Sequence, residues 1–561
     1  MKTVSIKRGT IIIIIGWLLS SLFYPVQAEN GDFQSTGNVI IYAMAMEGEN
    51  IYIAGSASNY AGSLQPGALN LSGGMKDIYL AKYDLAGNLL FEALIGGDND
   101  DSAFDVVVQQ GVLYVLGETW SQNFPGAPGN AGEDDAIVLA VAADGSQIQW
   151  ARRVGGSDQD SGRAIAIQGE SLYLTGISWS SDLLPGEAKG NADAFLAKMD
   201  LTGRMDWLKV FGGSGLDAPY DLAVSSDRIW VTGQTFSNNF GAPVRGGGDI
   251  FATRFNQDGS IEFTGLYGSR QGEIGFSIVL GDDGGFYISG ATQSADLPSA
   301  IGNYSGGFDG LLLKIESDGS LDYASYLGGS GIDYGYAVGM LPNGDVLVGG
   351  MTGSPLFPLG FSDELPSLGG NDAFVVLVNA TGQIVDAWQI GGSQDDRATE
   401  FLITSSGLWL TGQFSDQTNP FLSFLSLDNM GDVILPTNQP PLPTATRAVT
   451  ATPFPTETPI PTITNTPAAG TVYPSATETA TSTATQTETT ISSGNEVPSE
   501  ATSTNEVGDH VNIESEETPA DISPDQDSEE AGGTLVIPII AGLSLIVLVI
   551  VFVFRWRSTR I

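Results

Sequence analysis

The sequence predicts an all-β head, a seven-bladed β-propeller, followed by a disordered Thr/Pro-rich stalk and one transmembrane helix. Three observations carry this. A pattern of roughly 60 residues recurs between Gly37 and Pro436, a period that marks a stacked or radial array. Each copy holds four short apolar or alternating segments, such as Val112-Leu113-Tyr114-Val115-Leu116, separated by turn residues. The two ends of the chain are apolar and basic in the order that an exported, tethered protein requires.

The copies align on glycines and acids. The second strand of each is expected to end at Gly55, Gly117, Gly176, Gly233, Gly290, Gly350 and Gly412, which makes seven copies. A loop follows, often of the form Ser-x-x-Phe/Leu-Pro, as in Ser121 to Pro125, Ser294 to Pro298 and Ser354 to Pro358. The third strand opens on Asp77, Asp135, Asp193, Asp249, Asp309 and Asp372, and the last copy lacks this Asp. Turns such as Asp144-Gly145, Asp258-Gly259 and Asp318-Gly319 then join antiparallel strands. The fourth strand ends in a pair: Gly96-Gly97, Gly155-Gly156, Gly212-Gly213, Gly328-Gly329 and Gly391-Gly392, with Gly268-Ser269 in the fourth copy. One four-stranded blade cannot bury both of its faces, whereas neighbours in a closed ring can. An open β-solenoid is the alternative, and its repeats are usually shorter. A short fourth strand near Asp432 to Leu435, or residues Gly31 to Thr36, would close the ring.

The run Gly117-Glu118-Thr119-Trp120-Ser121 through Phe124-Pro125, the run Asp193-Ala194-Phe195-Leu196-Ala197-Lys198 and the glycine pairs resemble the SBBP (seven-bladed beta-propeller) repeat. The resemblance spans the repeats only, and copies one, six and seven depart from it in their loops. It implies a fold of exported or surface proteins. It implies no catalytic residue.

The ends set the address. Residues 1–28 read as a signal peptide: Lys2, Lys7 and Arg8 precede the apolar stretch Ile11 to Leu19, and Val26-Gln27-Ala28 offers small residues before a cut at Glu29. An uncleaved anchor is the alternative. The propeller is expected over 29–435. Residues 436–532 are rich in Thr, Pro, Ser and Glu, bury too little apolar surface to offset ordering entropy, and read as an extended spacer. Residues 533–554 are long and apolar enough to span a bilayer, and the basic tail 555–561 with Arg555, Arg557 and Arg560 belongs on the cytoplasmic side. The expected location is the cell membrane, single-pass, with the head outside.

Composition removes several function classes. There is no Cys, and the single His510 lies in the stalk. This removes thiolate and His-based sites from the folded part. A net charge of -43 repels nucleic acid.

Two sets of loop residues are candidate sites. An acidic residue follows the glycine pair at the same distance in each copy: Asp101, Asp160, Asp217, Glu273, Asp333 and Asp396. If the innermost strand comes next, these carboxylates ring the mouth of a channel. Hard oxygens there suit Ca²⁺, while a feature repeated in every blade also suits a turn cap. No other cofactor is expected. Trp120, Trp179 and Phe236 share one repeat position in three consecutive copies, where the others have Ser58, Gln293, Gly353 and Ser415. Such an arc stacks on sugar rings or anchors a partner, or packs between blades. Arg152, Arg153 and Arg163 form a basic feature in an acidic head, fit for ion pairs or for an anionic group.

The expected function is a membrane-tethered surface module that binds a glycan, polymer or protein. An exported carbohydrate-active enzyme and a passive envelope component are the alternatives. An enzyme requires carboxylates of raised pKa that break the repeat.

Overall fold

The computed structural model describes residues 38–426, apart from 61–63, 65–67, 130–131, 359–363, 367–368, 391–394, 405–406 and 415–419. The expected signal peptide, stalk, membrane span, tail and both closing segments lie outside the described residues. The chain divides into Met1–Phe454 and Pro455–Ile561, and every described residue falls in the first unit. No helix among the described residues is long and apolar enough to cross a membrane.

The described chain is a β-propeller. Six sheets carry four antiparallel strands each, in sequence order from the axis outwards. Blade 2 is typical, with strands Asp101–Gln109, Val112–Thr119, Asp135–Ala142 and Ile148–Val154. Blades 1, 3, 4, 5 and 6 begin at Asn38, Asp160, Asp217, Glu273 and Asp333. A further sheet has three described strands, Asp396–Ile403, Gly407–Phe414 and Pro420–Ser426. The first strands pack side by side around the axis, and Asp396–Ile403 packs against the first strands of both blade 6 and blade 1. Apolar contacts follow the same path. Leu402 and Trp409 join Val39, Ile41 and Ile51 in one cluster, while Phe401 and Leu410 join Leu347 and Val375 in another.

Burial explains the strand composition. Second and third strands are covered on both faces by neighbouring blades and are apolar almost throughout, as in Asp372–Val378, where every residue is buried. Fourth strands are the least covered, so Ile148–Val154 carries exposed Gln149 and Arg152 beside buried Ala151 and Val154.

The second strand does not end at the repeated glycine. It runs two residues further, to Thr119, Ser178, Thr235, Thr292 and Thr352, and three further in blade 1, to Ser58. The glycine stands inside the strand because the first strand bulges against it, with register shifts at Ala103/Asp105, Gly162/Ala164, Pro219/Asp221, Gly275/Ser277 and Gly335/Ala337. A Cβ on Gly117 would lie 1.8 Å from the Ser102 carbonyl oxygen, and one on Gly233 would lie 2.0 Å from that of Ala218. The residue that ends the strand is therefore the Ser or Thr after it, which also caps the turn described next.

Candidate functional site at the channel mouth

The predicted acidic ring does open the innermost strands, but it does not line an open mouth. Asp101, Asp160, Asp217, Glu273, Asp333 and Asp396 are all buried. Their partners are repeated too. The backbone N–H four residues earlier donates to the carboxylate: Gly97 to Asp101 (2.8 Å), Gly156 to Asp160 (2.7 Å), Gly213 to Asp217 (2.7 Å), Ser269 to Glu273 (2.9 Å) and Gly329 to Asp333 (2.9 Å). The Ser of the loop after the second strand donates as well: Ser121 to Asp101 (2.8 Å), Ser180 to Asp160 (2.7 Å), Ser237 to Asp217 (2.8 Å) and Ser354 to Asp333 (2.8 Å). Thr235 and Thr352 complete the cap on Asp217 and Asp333. Asp101, Asp160, Asp217, Glu273 and Asp333 thus each clip two loops of one junction. Among the described residues, no group of three or more acidic or His side chains is placed to hold a metal ion.

The Asp that opens the third strand meets the same junction. A Cβ on Gly96 would lie 2.0 Å from Asp77 Oδ1 and 2.8 Å from Asp101 Oδ2. Gly96, Gly212 and Gly268 each leave room for two converging carboxylates. Burial pushes their pKa values up: Asp101 to about 6 and Asp309 to about 7, with Asp77 and Asp333 respectively adding to the rise.

The aromatic arc lies on this same end of the ring. Trp120, Trp179 and Phe236 each follow the second strand, held by backbone bonds to Asp100 (3.0 Å), Gln159 (2.8 Å) and Leu216 (2.9 Å) across the junction. Phe236 is 41% exposed. Trp179 is half-buried and packs with Tyr220 and Leu216 of the next blade around Ile177, Ala192 and Ala218. The arc is thus part exposed surface and part inter-blade packing, and Tyr220 joins it to the axis.

Of the three arginines, Arg153 is a structural clamp. It pairs with Asp135 at 3.1 Å and donates to the Ala127 carbonyl at 2.8 Å. Arg152 lies over the Trp150 ring at 5.8 Å. Arg163 alone reaches the axis, over the Phe104 ring at 5.1 Å.

The residues that line the axis at this end come from the bulge. The extra residue of each first strand is Tyr42, Phe104, Arg163, Tyr220, Phe276, Tyr336 or Thr399, and all seven are half-buried. Their rings touch from blade to blade: Tyr42–Phe104 at 5.3 Å, Tyr220–Phe276 at 5.5 Å and Phe276–Tyr336 at 5.2 Å. Tyr334 stacks on Tyr336 at 5.7 Å. Arg397 acts on Tyr42 and on Tyr336, and Arg163 on Tyr42 and Tyr220; burial raises each of these phenols and the guanidinium charges oppose the rise. The mouth is therefore a ring of five aromatic side chains with two guanidiniums, in a head that is otherwise strongly acidic.

Below this ring, Asp105, Asp221 and Glu400 follow the bulge residue in three sheets. Asp105 accepts from the backbone N–H of Ile165 in the next blade (2.7 Å), and Asp221 does the same from Ile278 (2.8 Å). These carboxylates staple neighbouring innermost strands. Burial lifts Asp105 to about 7, Asp221 to about 6 and Glu400 to about 8; Asp221 adds to the rise of Asp105, and both act on Glu400. A second pair also breaks the repeat. Glu118 stands opposite Ala136 in the register, so Asp134, two residues before Ala136, is its diagonal neighbour on one face. Ser161 of blade 3 donates to Glu118 at 2.8 Å. Asp134 is 4% exposed, and burial, then Glu118, then Asp160, raise it to about 8.

No family model matches the chain. The chain is 27% identical over 376 residues to the regulatory protein FlaEY of Caulobacter vibrioides, a match over 60% of this chain and 38% of that protein's length. Among solved structures it is similar to a Kuenenia stuttgartiensis hydrazine synthase chain, at 12% identity and a TM-score of 0.40 over 72% of this chain and 98% of that one. It is also similar to the WD40 beta propeller domain of Doa1, at 11% identity and a TM-score of 0.40 over 72% of this chain and 97% of that one.

Proposed function

We propose that this chain is a membrane-tethered binding module of the SBBP repeat type, with a seven-bladed head displayed outside the cell. Its channel mouth binds a glycan, and an acidic polysaccharide suits it best. The carrying observation is the ring of Tyr42, Phe104, Tyr220, Phe276 and Tyr336 with Arg163 and Arg397. Aromatic faces suit sugar rings, and guanidiniums suit carboxylate or sulfate substituents. Trp120, Trp179 and Phe236 extend the same surface outwards. The signal peptide, stalk and span expected from the sequence would carry this head clear of the membrane.

A polysaccharide binding screen tests the reading. Replacing both Arg163 and Arg397 by Gln is expected to weaken binding of an acidic polymer by roughly 10- to 100-fold. Trp120→Ala with Trp179→Ala is expected to weaken it further. Equal binding by all of these proteins would sink the glycan reading and leave a protein partner or a passive envelope role. The repeated carboxylates are assigned as turn caps, not Ca²⁺ ligands. EDTA is therefore expected to leave the thermal midpoint unchanged, because removing a ligand shifts stability only where one binds. A midpoint that drops in EDTA and recovers with Ca²⁺ would restore the metal reading.

Glu118 and Asp134 favour a second reading, glycoside cleavage. They share a face, break the repeat and include a raised carboxyl group. Asp134 is too buried to touch a polymer directly, so binding stands first. Release of reducing ends that Glu118→Gln abolishes would reverse that order.

A further inference from the structure

A cavity of about 300 Å³ opens between blades 4 and 5, away from the channel mouth. A loop of the repeat forms part of its wall. The loop after the second strand inserts one apolar side chain between blades. That side chain is Phe124 in blade 2, Phe240 in blade 4 and Phe357 in blade 6, all buried. Blade 5 has Leu297 at this position, packed with Tyr267 of blade 4 and Leu311 and Leu313 of its own third strand. Leu297 and Pro298 form part of the cavity wall.

The polar groups around the cavity are nearly all committed. Tyr267 donates its hydroxyl to the Gly319 carbonyl at 2.9 Å. Tyr326 donates to the Ser294 carbonyl at 2.7 Å and so fixes the plug loop. The remaining polar group in the lining is Arg245, which is exposed and donates through Nη1 to the Gly268 carbonyl at 3.2 Å. Asp249 holds the backbone N–H of Arg245 at 3.0 Å. Among the described residues, no carboxylate lies within ion-pair distance of the Arg245 guanidinium. The Arg245 guanidinium, whose charge acts on Asp249, stands exposed at the rim of a cavity with apolar side chains in its wall, a local exception in a chain of net charge -43.

We propose that this cavity is a second binding site, for a small amphipathic monocarboxylate whose apolar body enters beside Leu297 and whose anionic head pairs with Arg245. The size agrees. An apolar cavity of about 150 Å³ holds benzene, so a space twice as large takes about two fused rings or a short alkyl chain.

The test is calorimetric titration of 2-naphthoate into the full-length chain in lipid nanodiscs. Leu297→Phe places in blade 5 the residue that blades 2, 4 and 6 already carry. It adds bulk to the cavity wall beside the proposed apolar subsite, and its thermal midpoint reports whether it folds. Lipid partitioning is common to both proteins and cancels in the comparison. Leu297→Phe is expected to weaken saturable binding at least tenfold at an unchanged or higher midpoint. Arg245→Gln is expected to weaken 2-naphthoate about tenfold and to leave the neutral 2-naphthamide unaffected. No saturable binding by the natural chain, equal binding by Leu297→Phe, or an equal loss of acid and amide in Arg245→Gln would each overturn the proposal. None of these outcomes bears on the glycan site, because no cavity residue reaches the channel mouth.

Discussion

Gly117→Ala is expected to stop the head from folding, or to destabilise it by roughly 4 kcal/mol or more. The added Cβ would lie 1.8 Å from the Ser102 oxygen and 2.8 Å from the Cα of Ala103. Both atoms are backbone and belong to the bulge that delivers Phe104 to the mouth. No rotamer change relieves the contact, so either the bulge or the second strand must move. Movement would break the ladder from Asp101–Thr119 to Gln109–Val112. Gly233→Ala should behave alike, at 2.0 Å from the Ala218 oxygen. Gly169→Ala is the control. Its φ is +62° and nothing lies within 4 Å of the added Cβ, so only backbone strain of about 1 kcal/mol is expected. Denaturant midpoints for the three variants decide the matter. Equal midpoints for Gly117→Ala and Gly169→Ala would mean that the close approach is not required.

Stability should fall as pH rises from about 4 to about 8. Six carboxyl groups are held well above their ordinary range, chiefly by burial: Asp101 and Asp221 near 6, Asp105 and Asp309 near 7, Asp134 and Glu400 near 8. Between the unfolded and folded pKa values the folded chain binds more protons than the unfolded one. The stability slope with pH is then negative, and the contribution present below about pH 4 is gone above about pH 8. Exposed turn carboxylates oppose this only at the acid end. Asp200, held near 2 by Thr202 and Arg204, loses its contribution as pH drops through that range. At about 1 kcal/mol per buried group after screening, the melting temperature should fall by roughly 5–10 °C between pH 5 and pH 8. Asp134→Asn should flatten part of this slope. A melting temperature that rises from pH 5 to pH 8 would show that these groups are ionised in the folded head.

The ring was legible because its punctuation is covalent. Glycines and acids recur in every copy, and they stand where backbone approaches backbone or where a carboxylate caps a turn. The strand ends were less legible, because Gly117 reads as a terminator while the structure uses it as a space for the bulge. The bulge also hid the mouth. Strict alternation from Asp101 assigns successive residues to opposite faces, and one extra residue at Phe104 resets that count. A signal did exist: the fourth residue counted from the acid is aromatic in blades 2, 4, 5 and 6, and Tyr42 completes the set. The acidic ring was legible as a turn cap, one of the two roles that its recurrence suits. Recurrence of Asp101 and its equivalents reported a structural clip, while Asp105, Asp221, Glu400 and Glu118, which break the repeat, lie in strands that read as apolar, and Asp134 lies just before one.

Two blades carry an extra strand of two residues, Asn70–Leu71 on Leu89–Ile95 and Ala300–Ile301 on Leu321–Leu327, each running parallel to its neighbour. The rim of the propeller is otherwise a series of outermost strands with unpaired backbone groups, a template on which another chain can pair. The short strands cover part of that template in blades 1 and 5. Blades 2, 3, 4 and 6 place charge on theirs instead: Arg152, Asp206 with Lys209, Glu262, and Asp386. Heads crowded on one surface would then repel or slide past one another rather than join edge to edge into fibres.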